Sequence, residues 1–308
     1  MRLVPLLILG MTSAAALAQG SAQPFMVGGR GFATLQDAVN AIGDGEGTIR
    51  IAPGTYRECA VQGAGRVAYV ASEPGKVIFT RIACEGKAAL VLRGRGASVQ
   101  GIVFSHIEVG DGNGAGIRIE KGPLAVSNAM FLDSQEGILG GEPVGQKITI
   151  DHSTFAGLGQ CDESPSCSHA IYLANNGSVT ITNSRFERGT GGHYVKLRVP
   201  TVSITDNSFD DTAGRKTNYM IDLPDGATGL IARNTFVQGR QKENHTGLIV
   251  VAAEAKTYRS TGLRIEANDA RLSPGDSSSP AFLADYSHDK LALGANRLGA
   301  GLRAFETR

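Results

Sequence analysis

The sequence predicts an all-β fold: a single-stranded parallel β-helix, or solenoid, with a helix capping its N-terminal end. Three observations predict it. One alternating phrase recurs as "ITIDHSTF" (148–155), "VTITNSRF" (179–186), "VSITDNSF" (202–209) and "LIARNTF" (230–236), with weaker copies ending at Phe104 and Phe131 and lying around Asn268 and Asn296. Its phenylalanines Phe155, Phe186, Phe209 and Phe236 are 31, 23 and 27 residues apart, the period of a stacked repeat rather than of a globular sheet. A second phrase falls between the copies: "GAGIRIE" (114–120), "QEGILGG" (135–141), "HAIYLAN" (169–175), "HYVKLRV" (193–199), "NYMIDLPDG" (218–226) and "GLIVVAAE" (247–254). Thirdly, Asn207, Asn234, Asn268 and Asn296 each lie two residues before the last apolar position of a repeat. They are expected to stack as a ladder of side-chain amides from coil to coil.

Taken along the chain, residues 1–18 read as a secretory signal peptide, with Arg2, an apolar run and the small-residue pattern Ala16-Leu17-Ala18. Residues 19–308 then form one β-helix domain, expected to be periplasmic or secreted and monomeric. "FATLQDAVNAI" (32–42) has the apolar spacing of a short amphipathic helix, with Thr34 as N-cap, and would cover the open edge of the first coil. "IRIAPGTYREC" (49–59) reads as strand, Pro-Gly turn and strand. From there each repeat of about 25 residues is read as two short strands joined by polar corners.

The four cysteines of an exported chain imply two disulfides, Cys59 with Cys84 and Cys161 with Cys167. Forty-one glycines and no tryptophan imply many tight turns and few bulky anchors. With 30 basic and 29 acidic residues the chain is nearly neutral, which argues against a general nucleic-acid binder, and no stretch reaches the roughly 20 apolar residues of a membrane span.

"FATLQDAVNAI" followed by "IRIAPGTYRE" resembles the opening of the secreted pectin-lyase-like, right-handed parallel β-helix proteins, among them the pectin methylesterases. "HAIYL", "GHYVKLR" and "YMIDLPDG" resemble bacterial right-handed β-helix repeat proteins. The resemblance implies a right-handed coil and polysaccharide binding along one exposed sheet. The "QDTL" and "VDFIFG" phrases of the methylesterases are missing here, which argues against that activity.

Aligning the second phrase on Ile117, Ile138, Ile171, Val195, Ile221 and Ile249 as inward residues puts Arg118, Leu139, Tyr172, Lys196, Asp222 and Val250 in one outward column. Coils are ~4.8 Å apart, so Tyr172, Lys196 and Asp222 become neighbours, with Arg198 on the same face. Base, carboxylate clamp and acid are the three groups β-elimination of a uronate polysaccharide needs, and Lys196, Arg198 and Tyr172 suit those roles in turn. Asp222 would orient Lys196 or bind a sugar hydroxyl; the alternative for the pair is an exposed salt-bridge ladder. His169, His193 and Glu136 share a second column, two residues before the inward position. Strand parity points the histidines inward, whereas a break at Gly191-Gly192 would put His193 at the groove rim as a base; the alternative is a neutral, hydrogen-bonded corner residue. His169, Arg118 and Glu136 are, with Asp222, the candidate substrate contacts.

Asp210-Asp211 sits at a turn and is read as structural. No cofactor is expected: a Ca2+ site wants clustered carboxylates, and only Asp222 lies in the proposed face. The leading expectation is therefore an exported polysaccharide lyase acting on an acidic glycan. The competing ones are a non-catalytic glycan-binding or surface β-helix, and a glycoside hydrolase using Asp222 with Glu136.

Overall fold

The computed structural model describes residues 23–163 and 166–308; the expected signal peptide lies outside the described residues. The chain winds as a parallel β-solenoid whose coils contribute strands to three sheets, one of 12 strands (sheet A) and two of 10 (sheets B and C). The expected architecture is therefore present, but each coil carries three strands rather than two. The phrase "VTITNSRF" is split between sheet A (Ser178–Thr182) and sheet B (Arg185–Glu187).

A recurring corner makes the split. Asn128, His152, Asn183, Asp206, Arg233 and Ala267 all have φ between 46° and 62°, and each stands three residues before the aromatic or apolar residue of its sheet B strand. One left-handed residue turns the chain between sheets without a loop. The residue after it faces inward and builds the expected ladder. Asn207, Asn234 and Asn268 each donate from Nδ2 to the Oδ1 of the next coil's asparagine at 2.9–3.0 Å. Ser184 and Ser153 continue the column, accepting at Oγ from the backbone amides of Ser153 and Ala129.

Sheet B's phenylalanines pair in register from Phe79 through Phe236. The rings of Phe131, Phe155, Phe186, Phe209 and Phe236 stack at 4.7–5.0 Å, forming a continuous buried column. At the N-terminal end the helix Leu35–Ile42 is capped by Thr34, whose Oγ1 accepts from Asp37 N at 3.1 Å. Gln36 Oε1 accepts from Val61 N at 2.8 Å and its Nε2 donates to Val61 O at 3.1 Å, so one side chain substitutes for the missing strand at sheet C's edge. Both expected disulfides are formed, Cys59–Cys84 and Cys161–Cys167. Among the described residues no helix is long and apolar enough to cross a membrane.

Candidate functional site

Sheet C carries the site. Its register pairs Ile117 with Ile138, then Ile171, Val195, Ile221 and Ile249, so the outward column runs Arg118, Leu139, Tyr172, Lys196, Asp222, Val250 as expected. Most of that outer face is covered. Val91, Leu139, Ala88 and Ala115 form an apolar patch at one end, and Val250, Ala281 and Ala284, packed by Tyr219 and Tyr286, form another. The polar window lies between them.

Within the window Lys196 Nζ is 2.6 Å from Glu254 Oε1, 3.7 Å from Asp222 Oδ2 and 5.6 Å from the Tyr172 ring centroid. Arg198 Nε donates to Tyr172 Oη at 3.0 Å, and its two terminal nitrogens bond Asp225 and Glu254. The side chains of Asp222 and Lys196 are only 3% and 11% exposed, which overturns the reading of an exposed ladder. Burial pushes the Asp222 carboxyl up to about 7, Lys196 pulling back and Glu254 adding to the rise. Asp222 Oδ1 is buried without a hydrogen-bond partner, among the described residues. Burial also tends to raise Glu254, but its bonds to Lys196 and Arg198 prevail and hold it below the ordinary carboxylate range.

Glu254 and Asp225 were not singled out from the sequence. Both stand in turns after sheet C strands, Glu254 at the end of "GLIVVAAE" and Asp225 in "LPDG". A search confined to one strand column misses residues that reach back across coils from a turn. Glu254 N and Ala255 N donate to Pro224 O, and Tyr258 N to Asp225 O, so residues 252–258 lie as a strap along the preceding turn. From that strap Glu254 reaches Lys196 and Arg198, and Tyr258 Oη reaches Asn176 at 2.8 Å.

The histidines depart from strand parity. In these coils two consecutive residues enter the core, Ala170-Ile171 and Tyr194-Val195, which turns the histidine before them outward. Beside His193 the chain presses against the previous coil, where Gly192 has φ +59° and a Cβ would lie 2.0 Å from Ser168 O. His193 then stands beside the outer column, its Nε2 3.4 Å from Asp222 Oδ2, and the His169 ring meets Tyr172 edge-on at 5.4 Å. His169 Nδ1 accepts from His193 N at 3.0 Å, and His193 Nδ1 accepts from Tyr219 N at 3.1 Å. With each Nδ1 committed as acceptor, the neutral rings carry their proton on Nε2. Burial, reinforced in His169 by Lys196, pushes its pKa down to about 3 and lowers His193 strongly. His193 thus presents a donor to Asp222, which leaves it no free lone pair for the expected role of base.

Glu136 begins this ladder, accepting from the His169 amide, and burial raises its carboxyl well above the ordinary range. Glu136 and His169, 1% and 6% exposed, are interior supports rather than open substrate contacts. Arg118 lies in the column but is separated from Tyr172 by Leu139 and is 3.8 Å from Glu120. Asp211 is fully buried, accepting from Tyr194 Oη at 2.8 Å, Thr217 Oγ1 at 2.9 Å and Lys242 Nζ at 3.1 Å, which supports the structural reading. Cys161, Cys167 and Glu243 approach one another, but both sulfurs are tied up in the disulfide.

Two clefts, of about 630 and 590 Å3, lie away from the polar window. One is on sheet A beside Arg66, Ser98 and Lys147, and the other is beside Cys161 and Lys216. The window differs from both clefts in bringing opposite charges together on adjacent coils, with one carboxyl, Asp222, raised to about 7 and, among the described residues, one of its oxygens left unpartnered, whereas the sheet A cleft is lined mainly by small side chains.

A family model described as a right handed beta helix region matches residues 57–268. No curated protein and no solved structure matches the chain.

Proposed function

The chain belongs to the right-handed β-helix family, and from that premise, together with the polar window on sheet C, we propose that it is an exported polysaccharide lyase that cleaves an acidic, uronate-containing glycan by β-elimination. The fold is compatible with a carbohydrate-active protein. The observation that carries the finer reading is the grouping of two cations, a phenol and a carboxyl titrating at about 7 on adjacent coils.

Arg198 neutralises the sugar carboxylate, making the proton on the adjacent carbon acidic. Lys196 first passes a proton to the ionised Asp222 Oδ2, 3.7 Å away, and with the lone pair so freed it takes the proton from that carbon. Tyr172, whose oxygen accepts from Arg198 Nε, keeps its own proton free for the departing glycosidic oxygen. His193 Nε2–H and the ladder behind it hold Asp222 in place. Both disulfides are compatible with the oxidising surroundings an exported protein meets.

The test is the ultraviolet absorbance of the unsaturated product while the mature protein is incubated with a panel of acidic polysaccharides. Lys196→Ala is expected to lower the rate by about 10²–10⁴-fold with the fold intact; an unchanged rate removes Lys196 from the mechanism. New reducing ends without unsaturation would favour hydrolysis by Asp222 with Glu254, which both contact Lys196 Nζ, in place of the Asp222–Glu136 pair expected from the sequence.

A further inference from the structure

Glu254 belongs to the strap, not to the strand column, yet it makes the closest contacts to both cations of the window. One of its oxygens meets Lys196 Nζ at 2.6 Å and the other meets the Arg198 guanidinium. Two converging cations on one carboxylate, with an aromatic ring 5.6 Å from Nζ and 6.0 Å from the guanidinium carbon, form a receptor for a carboxylate beside a flat apolar surface. The strap backbone is fastened to Leu223, Pro224 and Asp225 through the amides of Ala252, Glu254, Ala255 and Tyr258. The Glu254 side chain itself is 46% exposed, so it can rotate into solvent while the strap stays in place.

We propose that Lys196 and Arg198 form a carboxylate-binding site, that Glu254 is its built-in occupant, and that a uronate carboxylate enters by displacing the Glu254 side chain. The inference deepens the lyase reading and rests on it for the identity of the incoming carboxylate: both cations receive that carboxylate on entry, and Arg198 alone keeps it once Lys196 has passed its proton to Asp222 and become the base. Internal competition lowers apparent affinity by the fraction of molecules in which the site stands open, so it selects ligands whose other contacts, along several coils, make up the difference. A short uronate would be a poor ligand and a longer one a good ligand.

The experiment has two arms. In the first, Glu254→Ala is unfolded thermally in sodium acetate and in sodium chloride of equal ionic strength. Acetate is expected to raise its melting temperature saturably and to leave the wild type unchanged; equal melting in the two salts overturns the proposal. In the second arm, tetrasaccharides of galacturonate, mannuronate and guluronate are titrated calorimetrically against wild type and Glu254→Gln. At least one is expected to bind the variant about tenfold more tightly. Glu254→Asp, which keeps the charge but shortens the reach, should fall between them and serves if Glu254→Gln does not fold. A tetrasaccharide that binds wild type and is weakened by Glu254→Gln overturns the proposal, since Glu254 would then contact the sugar. Saturable acetate stabilisation of Glu254→Ala without binding of any tetrasaccharide to either protein leaves the carboxylate site standing and removes the uronate reading.

Discussion

Two lysine–carboxylate clusters meet at the stretch "GGHYVKLR", and they are built to opposite ends. On one side Tyr194 reaches Asp211, which also holds Thr217 and Lys242; the Asp211 and Lys242 side chains are 1% and 0% exposed, and both Asp211 oxygens are bonded. On the other side, two residues along, Lys196 faces Asp222, which among the described residues keeps an unpartnered oxygen and titrates at about 7, and Glu254, which is half in solvent. A fully satisfied buried cluster holds coils together. One left incomplete beside solvent has bonds to offer a ligand.

The largest difference is expected on removing each lysine. Lys242→Met leaves Asp211 a buried charge without its cation and should cost about 3–5 kcal/mol, read from the urea unfolding midpoint. Lys196→Met should cost about 1 kcal/mol or less near pH 6, because Asp222 already titrates at about 7 and escapes by taking a proton. Equal losses would erase the distinction.

A second difference lies in pH dependence. Asp222 has a folded-state pKa raised above its ordinary 3.8, so the folded state holds more protons between the two values. Its contribution is full below about pH 4 and is lost as pH rises to about 7. Asp222→Asn should therefore gain on the wild type by on the order of 1 kcal/mol per pH unit across that window and then level off. His169 and His193 are depressed, so their contribution is present above their ordinary 6.5 and lost as pH falls; burial, the main cause, is kept in Asp222→Asn, so this loss occurs in both proteins. Melting temperatures of the two proteins at several pH values check this, and parallel curves would show that Asp222 titrates normally.

The smallest difference is carried by the tyrosines. Tyr194→Phe strips a buried Asp211 oxygen of a donor and should cost about 1–3 kcal/mol. Tyr172→Phe, at a half-open position, should cost less than about 0.5 kcal/mol while lowering turnover. Paired denaturation curves and rates on one substrate separate the two cases.

The repeat phrases made the ladder legible because Asn207, Asn234, Asn268 and Asn296 keep one offset from the last apolar residue of each repeat, and offset survives any winding of the coil. The same logic placed Tyr172, Lys196 and Asp222 side by side. Parity failed at His169 and His193, where two consecutive residues, Ala170-Ile171 and Tyr194-Val195, both enter the core and turn the imidazole before them outward. It failed also at "VTITNSRF", read as one strand, where a left-handed corner at Asn183 opens a third sheet.

What the chain's own period settles is therefore which side chains share a column: stacking parallel strands in register converts a sequence offset directly into adjacency. What the period leaves open is which columns stay exposed and what reaches them from elsewhere. Burial of Asp222 and the return of Glu254 to Lys196 across 58 residues depend on how the turns fold back over the coil, and turn geometry follows no repeat. Only the closed three-dimensional coil decides that Lys196 is a buried, paired ammonium and Asp222 a carboxyl at the edge of ionisation, because both properties come from solvent exclusion and from charges contributed by other coils.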